Sequence, residues 1–342
     1  MIQRDIYQHY GLYAEELFYV GPYTAFTVKE KDYVLVPDKG HGATEWEEKL
    51  TWEQQMKQSG ELNSAVFVPT LSREYSAPID GEWQLLFHIP KLHEDFPYLD
   101  SSEEGRQLGE FHHRSLQLFE SQPVNTFGER WCQWWVKRIE QLETWYQEIR
   151  KKRRLTEMDR WFVQTLPYYI GRTENAIQWI RSSMVNAGHS EQGTICHFCF
   201  TSASWVVIRE RTPPVKLPSD WVYDHPARDI AEWIRYQLND FEARDKQKSI
   251  LQFINSYEER FSLTSFTRNM MFGRLLFPYH YVEQVEQIYL REAPKENGRL
   301  NECLQTIWDN EGEQMKQMSY LLKNVVSNNE SHEPAWIWTC TE

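Results

Sequence analysis

The spacing of apolar residues predicts β-strands in the first part of the chain. In residues 13–37, apolar side chains alternate with polar ones on both sides of the charged turn KEKD, which is typical of antiparallel strands. Residues 44–59 change to helical spacing, with a threonine at the start, acids in the first turn and Gly60 after the end. Two further strands, AVFVPTLSREYSAP and EWQLLFHIP, flank a turn at Asp80 and Gly81. Hairpin, helix and hairpin together predict a small α+β lobe.

From residue 103 onward the apolar residues return at helical spacing. Predicted helices cover residues 103–120, 129–154, 159–184, 229–240, 244–260, 264–276, 281–291 and 297–322. We therefore expect an α+β fold of two lobes, with a small lobe in residues 1–90, a connector in 91–102, a large, mainly helical lobe in 103–325 and a tail in 326–342. In the tail, Trp336, Ile337 and Trp338 either dock onto the body or contact another protein.

Charge and composition exclude several classes of function. The 342 residues carry a formal net charge of −13, which opposes general binding to nucleic acid or to an anionic membrane. No apolar run reaches the roughly 20 residues of a membrane-spanning helix, and the N-terminal residues lack the apolar middle of a secretion signal. The five scattered cysteines do not form a disulfide framework. We expect synthesis in the cytoplasm without a signal peptide and without membrane insertion.

The unusual feature of the composition is its aromatic content of 15 Trp, 18 Tyr and 17 Phe. These side chains predict a large helical core, and the alternative is a sticky surface for assembly or self-association. The tryptophans of residues 129–149 recur at helical spacing, which favours core packing over a sugar-stacking platform. The basic run RKKRR that follows complements the negative end of a helix, and in an acidic chain this interpretation is favoured over a nucleic-acid patch.

Two patterns suggest a metal site. His112 and His113 are adjacent on a predicted helix and point about 100° apart, so they cannot chelate one ion together. Cys196 and Cys199 form a C-x-x-C pair, which can bind zinc or act in redox chemistry. A zinc site requires two more ligands at suitable spacing, and a redox pair is favoured at a helix N-terminus. The sequence offers neither feature, so we expect Cys196 to face the core.

Residues 193–233 organise the chain as strand, loop, strand, irregular loop, acidic–proline segment and amphipathic helix. Together with LGEFHHRS (residues 108–115), the segments HFCFTSAS (197–204) and DWVYDHPARDIAEW (220–233) resemble the aminoglycoside phosphotransferase and choline kinase-like branch of the protein kinase-like superfamily. Within that branch the chain looks most similar to bacterial spore coat-associated proteins of the CotS type, and in particular to the YutH-like members. The resemblance implies a two-lobed kinase-like fold, location in the spore coat and other coat proteins as partners.

The resemblance assigns chemical roles to three positions whose residues differ from the family pattern. The catalytic Asp falls on Cys199, whose thiol is mostly neutral at pH 7 and cannot replace a carboxylate base. The metal-binding Asn falls on Ser204, which is a weaker ligand. The phosphate-binding Lys belongs on the third strand, which offers Val36 and Pro37, and Lys39 reaches the site only by a shifted register.

Other positions keep the residue types that the resemblance implies. Asp220 matches the principal metal-binding Asp, and its alternative interpretation is a solvated loop acid. His197 matches a residue that shapes the loop. Asp224 and Asp229 have structural explanations, since Asp224 can cap the helix that follows Pro226 and Asp229 lies in the first turn of that helix.

Two functional hypotheses follow. The favoured one is a catalytically inactive kinase-fold protein, a pseudokinase, which serves as a structural or assembly component of the spore coat. It has no catalytic residue and requires no cofactor, because His197, Cys199 and Ser204 form a degenerate loop. The alternative is an atypical phosphotransferase that uses ATP and Mg²⁺, with Asp220 as the metal ligand and nearby acids such as Glu191 or Asp224 as substitutes.

Overall fold

The computed structural model describes residues 2–40, 42–92, 95–119, 127–186, 192–240, 245–290 and 298–326. Glu191 and the aromatic tail residues 336–338 lie outside this range. The chain forms two compact units, each assembled from three segments. Unit 1 consists of Met1–Gln122, Gly193–Asp229 and Gln252–Ser262, and unit 2 consists of Pro123–Gln192, Ile230–Leu251 and Leu263–Glu342. The limits predicted above for the lobes, connector and tail stay a prediction.

Unit 1 contains an antiparallel sheet built from strands close together in sequence. The strands are β1 (Glu16–Val20), β2 (Tyr23–Val28), β3 (Lys31–Pro37), β4 (Val66–Val68), β5 (Ser76–Ile79) and β6 (Glu82–His88). Their order is β1-β2-β3-β6-β4, and β5 also pairs with β6. The turn between β1 and β2 uses Gly21 at φ +56°, and the turn between β2 and β3 holds Lys29 and Glu30 at positive φ. The predicted β-rich region is therefore present, as a three-stranded meander followed by further strands.

Strand alternation gives the sheet two apolar faces. Leu35 packs on one face with Ile6 and Tyr10 of helix α1 (Ile2–Tyr10), which the sequence analysis did not predict. Val34 and Val36 point to the opposite face, where helix α2 (Ala43–Gln58) adds Trp46. The buried members of this second cluster are Val20, Ala25, Val34, Val36, Trp46, Ala65, Leu85, Phe87, Ile89, Val206, Val215 and Leu217. Val206, Val215 and Leu217 therefore pack in the same core as this face of the sheet.

The rest of unit 1 holds helix α3 (Ser101–Leu116) and a hairpin of β7 (Thr194–His197) and β8 (Trp221–Asp224). Asp100 caps α3 by accepting a hydrogen bond from Glu103 N at 2.9 Å. A third apolar cluster joins Met56, Phe111, Ile195 and Trp221, and so connects α2, α3 and the hairpin. This packing fixes the position of the loop that follows β7.

Unit 2 is helical in the described residues. Its helices are α4 (Phe127–Arg150), α5 (Glu157–Asn186), α8 (Ser265–Leu276), α9 (Tyr279–Leu290), α10 (Gly298–Asp309) and α11 (Glu311–Leu321), while α6 (Ala227–Asn239) and α7 (Lys246–Glu258) contribute to both units. The prediction of a single helix over residues 297–322 is wrong, because the helix is interrupted at Asn310, between α10 and α11. Trp135 stacks on Phe277 with ring centroids 4.7 Å apart, so this tryptophan serves the core. No helix in the described ranges is long and apolar enough to cross a membrane.

Candidate functional site

The β7–β8 hairpin places the two chemically important segments side by side. His197 ends β7 and pairs in register with Trp221, the first residue of β8. Phe198 N donates a hydrogen bond to the carbonyl oxygen of Asp220 at 2.8 Å. The loop of residues 198–205 therefore starts next to Asp220, as the resemblance implies, and the whole arrangement lies within unit 1.

His197 is buried and fixed by hydrogen bonds to two residues, Asp229 and Trp205. Its backbone N–H donates to both carboxylate oxygens of Asp229, at 2.9 and 3.0 Å, and its ring Nδ1 lies 2.7 Å from Asp229 Oδ2. The indole Nε1–H of Trp205 donates to His197 Nε2 at 3.0 Å. Because Nε2 accepts this bond, Nδ1 carries the proton and donates it to the carboxylate. His197 thus ties the two ends of the loop to the first turn of α6.

A second buried histidine completes this network. His112 Nε2 lies 3.2 Å from Asp229 Oδ2, and its Nδ1 lies 2.7 Å from the hydroxyl of Tyr257. With Tyr257 as donor to Nδ1, Nε2 donates to Asp229 and the ring is neutral. Burial lowers the pKa of His112, although the bond to Asp229 opposes that effect. Burial alone would raise the pKa of Asp229, but its contacts with His197 and His112 outweigh burial and hold it well below its usual range.

His112, Cys196 and Asp229 are close enough to suggest a metal site, since their ligand atoms lie within 4.8 Å of one another. Burial raises the pKa of the Cys196 thiol far above its usual value, and Asp229 and Asp224 add to the shift. The neutral thiol lies 3.5 Å from the Asp224 carbonyl oxygen and 3.4 Å from that of His225. The cluster does not fit a metal, because its donor atoms are already protonated or engaged in hydrogen bonds.

The loop positions themselves hold no acid. Cys199 is exposed, whereas Cys196 is buried, as the sequence analysis expected for the first cysteine. The Ser204 hydroxyl accepts a hydrogen bond from Thr201 N at 2.8 Å and donates to the Cys199 carbonyl oxygen at 3.0 Å. Ser204 therefore closes the loop on itself.

Asp220 forms an ion pair that the sequence analysis did not predict. Lys39 Nζ lies 2.9 Å from Asp220 Oδ1, and the exposed fractions of the two side chains are 59% and 21%. The same ammonium lies 5.7 Å from the centroid of the Phe198 ring. Lys39 therefore reaches the site from the residues after β3, which ends at Pro37.

A second lysine, Lys49 of α2, also reaches this segment. Its side chain has an exposed fraction of 2%, and its Nζ donates to the Ser219 carbonyl oxygen at 2.7 Å and lies 3.2 Å from Glu45 Oε1. Burial lowers the pKa of Lys49, and Glu45 and Asp220 oppose that effect. In the sequence, the only local indication of this contact is that Glu45 and Lys49 are four residues apart on a predicted helix. That spacing is also usual for exposed ion pairs, so the sequence analysis did not identify Lys49 as a buried residue of the site.

Comparison with known proteins identifies the family. The model of the family described as "Spore coat putative kinase YutH" matches residues 3–321. The chain is 29% identical over 296 residues to the endospore coat-associated protein YutH of Bacillus subtilis strain 168, covering 85% of this chain and 84% of that protein.

Solved structures of low sequence identity share the fold. An aminoglycoside phosphotransferase from Alicyclobacillus acidocaldarius matches with a TM-score of 0.64 and 11% identity over 95% of this chain and 96% of that one. A microcompartment-associated aminopropanol kinase matches with a TM-score of 0.56 and 9% identity over 92% and 96% of the two chains. These likenesses confirm the expected two-lobed α+β kinase-like fold. The chain therefore belongs to the YutH family of spore coat proteins, built on the fold of the aminoglycoside phosphotransferases.

Proposed function

We propose that this chain is a catalytically inactive kinase-fold protein that acts as a structural or assembly component of the bacterial spore coat, with other coat proteins as its partners. Its family and its Bacillus subtilis relative, which is named as endospore coat-associated, support the location. The apolar packing beneath the sheet carries the proposal of inactivity.

Protein kinases hold the nucleotide phosphates with a glycine-rich loop and a lysine of the third strand. Here Val34 and Val36 of β3 pack into one buried cluster with Val206, Val215 and Leu217. Two buried lysines lie beside this cluster, but each already has partners: Lys216 Nζ lies 3.2 Å from Glu61 Oε1, and Lys49 Nζ donates to the Ser219 carbonyl oxygen at 2.7 Å. A polyphosphate brought to this face would lose its hydration and would have to compete with those partners for a cation. The packing therefore opposes nucleotide binding where the resemblance would place it.

The loop also lacks the groups that the transfer requires. Removing a positioned general base typically costs about 10²–10⁴-fold in rate, and the corresponding residue is Cys199. The hydroxyl of Ser204 is engaged by Thr201 N and by the Cys199 carbonyl oxygen. Both losses act on the same step, so they support an inactive protein more strongly than either does alone.

The residues near Asp220 do not fit Mg²⁺. This ion requires six oxygen ligands in near-octahedral geometry, most of them from carboxylates, phosphates or water. Asp220 offers a single carboxylate, and one of its oxygens lies 2.9 Å from the Lys39 ammonium. Asp224, the described candidate substitute, is ion-paired with Arg228 at 2.6 Å and accepts a hydrogen bond from His225 N.

Exposed aromatic side chains on unit 1 support a role in assembly. Tyr13, Tyr19, Trp83 and Tyr98 are all well exposed. Aromatic side chains are enriched at protein interfaces, because they bury a large area and carry a polar group. They suit contacts with coat proteins or with a second copy of this chain.

One observation favours the alternative, an atypical phosphotransferase. Lys39 and Asp220 lie side by side, and a lysine and an aspartate are also the pair that holds phosphate and metal in a kinase. Under this alternative the lysine has moved from β3 to a position just after the strand. The alternative requires ATP and Mg²⁺ to displace the ion pair.

Titration of the full chain with ATP and MgCl₂ separates the two functions. We expect neither a calorimetric signal nor a shift in Tm up to about 1 mM nucleotide, the upper end of usual KM values, and no transfer of labelled γ-phosphate. Saturable binding that Asp220→Asn abolishes, together with phosphate transfer, would establish the alternative instead. In sporulating cells, we expect fluorescent fusions of the wild-type chain and of Asp220→Asn to reach the coat equally.

A further inference from the structure

We infer that the Lys39 ammonium is a built-in cation that takes the place of the divalent metal beside Asp220. The inference rests on the proposed function. It gives a reason why an inactive kinase-fold protein would still have an aspartate at the position where the resemblance places a metal ligand. Asp220 then has a structural role, since it fastens the segment after β3 to the loop that follows β7.

The ammonium contacts two groups that are themselves connected. It lies 2.9 Å from Asp220 Oδ1 and 5.7 Å from the centroid of the Phe198 ring. Phe198 N in turn donates to the Asp220 carbonyl oxygen at 2.8 Å. A carboxylate oxygen and an aromatic face suit a singly charged ammonium, whereas Mg²⁺ and Mn²⁺ select oxygen ligands.

The backbone that carries Lys39 is fixed on both sides. Asp38 N donates to the Trp83 carbonyl oxygen at 2.9 Å, and the Asp38 carboxylate accepts hydrogen bonds from Ser76 Oγ at 2.6 Å and Gly40 N at 2.9 Å. Gly40 adopts φ +79°, a conformation that glycine reaches without strain. Because the backbone is held, the ion pair orders only the lysine side chain, which lowers its entropic cost.

The charges around Asp220 already balance. Three cations and three carboxylates belong to this group: Lys39, Lys49, Arg228, Asp220, Glu45 and Asp224. Lys49 Nζ lies 2.7 Å from the carbonyl oxygen of Ser219, the residue before Asp220. Arg228 donates to the Phe198 carbonyl oxygen at 2.7 Å. A divalent cation added to this balanced group would be repelled by the lysines and the arginine. Replacing the Lys39 ammonium by a carboxylate would leave an excess of negative charge, which favours binding of a divalent cation.

Reversing the charge at position 39 tests the inference. We expect Lys39→Glu to lower Tm by about 2–4 °C in the presence of chelator, because two carboxylates then face each other. MnCl₂ should restore that loss, and electron paramagnetic resonance should detect about one bound Mn²⁺ per chain. The wild-type chain should bind no Mn²⁺ under the same conditions and show no change in Tm.

The matched control is Lys316→Glu. Lys316 pairs with Glu313 at 3.9 Å, and its exposed fraction of 60% equals that of Lys39 within a percent. The control therefore makes the same change of charge beside one acid at an open surface, and we expect no Mn²⁺ response. Lys39→Ala in a double-mutant cycle with Asp220→Ala gives a second measurement, in which the double variant should lose less Tm than the sum of the single variants.

Two results would overturn the inference. One is binding of Mn²⁺ to the wild-type chain that disappears in Asp220→Asn. The other is a Lys39→Glu variant that responds to Mn²⁺ no more than Lys316→Glu does, together with additive effects in the cycle. Nucleotide binding without Mn²⁺ binding at Asp220 would instead defeat the proposed function and leave this inference standing, so the two failures are distinguishable.

Discussion

Asp229 Oδ2 lies 2.7 Å from His197 Nδ1, and this contact joins the first turn of α6 to the end of β7 inside unit 1. The same carboxylate accepts hydrogen bonds from the His197 backbone N–H and from the ring of His112. An ionised carboxylate with three N–H donors is satisfied without solvent. Asp229 therefore holds His197, the residue at the start of the loop, in place. None of its hydrogen bonds requires a substrate.

Replacing Asp229 by Asn should destabilise the protein by about 3 kcal/mol, because the amide presents a donor to ring and backbone N–H groups that are themselves donors. Urea unfolding measures the loss. Asp245→Asn is the control, since Asp245 is exposed and its φ of +58° suits asparagine. A loss below about 1 kcal/mol in Asp229→Asn would show that the buried network is not cooperative.

Gly109→Ala should destabilise unit 1 because α3 passes close to α7. A Cβ at Gly109 would lie 2.6 Å from the carbonyl oxygen of Tyr257, and backbone cannot move aside as a flexible side chain can. We expect a loss of about 1–3 kcal/mol in urea unfolding. Gly171→Ala is the matched substitution in α5, where nothing lies within 4 Å of an added Cβ, and it should stabilise the helix by up to about 1 kcal/mol. If Gly109→Ala and Gly171→Ala changed the free energy of unfolding by the same amount, the close packing of α3 on α7 would be contradicted.

Stability should fall on acidification between about pH 6.5 and pH 4. Burial, with Arg235 nearby, lowers the pKa of His280 to about 4. The unfolded chain, with a histidine pKa near 6.5, then binds more protons than the folded chain in this range, so the free energy of unfolding decreases as pH falls. The shift corresponds to about 3 kcal/mol by pH 4. His280→Gln should flatten the dependence measured by urea unfolding at pH 7 and pH 5, whereas His113→Gln, at an exposed position, should leave it unchanged.

Alkylation should separate the cysteines of the native chain. Cys199 and Cys303 are exposed and should react with iodoacetamide, as read by peptide mass spectrometry. Burial raises the pKa of Cys132 to about 11 and that of Cys196 well above its usual value, so both should react only after unfolding. Cys199→Ser should remove one site of labelling from the folded protein. Rapid labelling of Cys196 would contradict the closed packing of β7.

The elements that sequence patterns predict well are those whose apolar spacing decides burial. Val34, Leu35 and Val36 alternate between the two faces of the sheet, as strand periodicity requires. The missed helix α1 has nine residues and places only Ile6 and Tyr10 in the core. A helix this short is stabilised by packing on the sheet more than by its own sequence, so local spacing gives a weak signal.

The candidate site shows where a single sequence stops being informative. The residue types at Cys199, Ser204 and Asp220 could be judged from the sequence because the resemblance assigns a chemical role to each of those positions. The Lys39–Asp220 pair joins residues 181 positions apart, and Lys49 reaches Ser219 across 170 positions. Such contacts depend on how distant elements pack, and helical or strand periodicity carries no record of that packing.

The three-segment construction of unit 1 also sets the order in which it can form during synthesis. The first segment ends at Gln122, but its Met56 and Phe111 pack with Ile195 and Trp221 of the second segment. Helix α3 also packs closely against the third segment, Gln252–Ser262. A growing chain leaves the ribosome with these apolar surfaces uncovered until well over half of it has been made. We therefore expect a nascent intermediate that engages general chaperones, and we expect fragments truncated before Ser262 to be insoluble while the full chain is not.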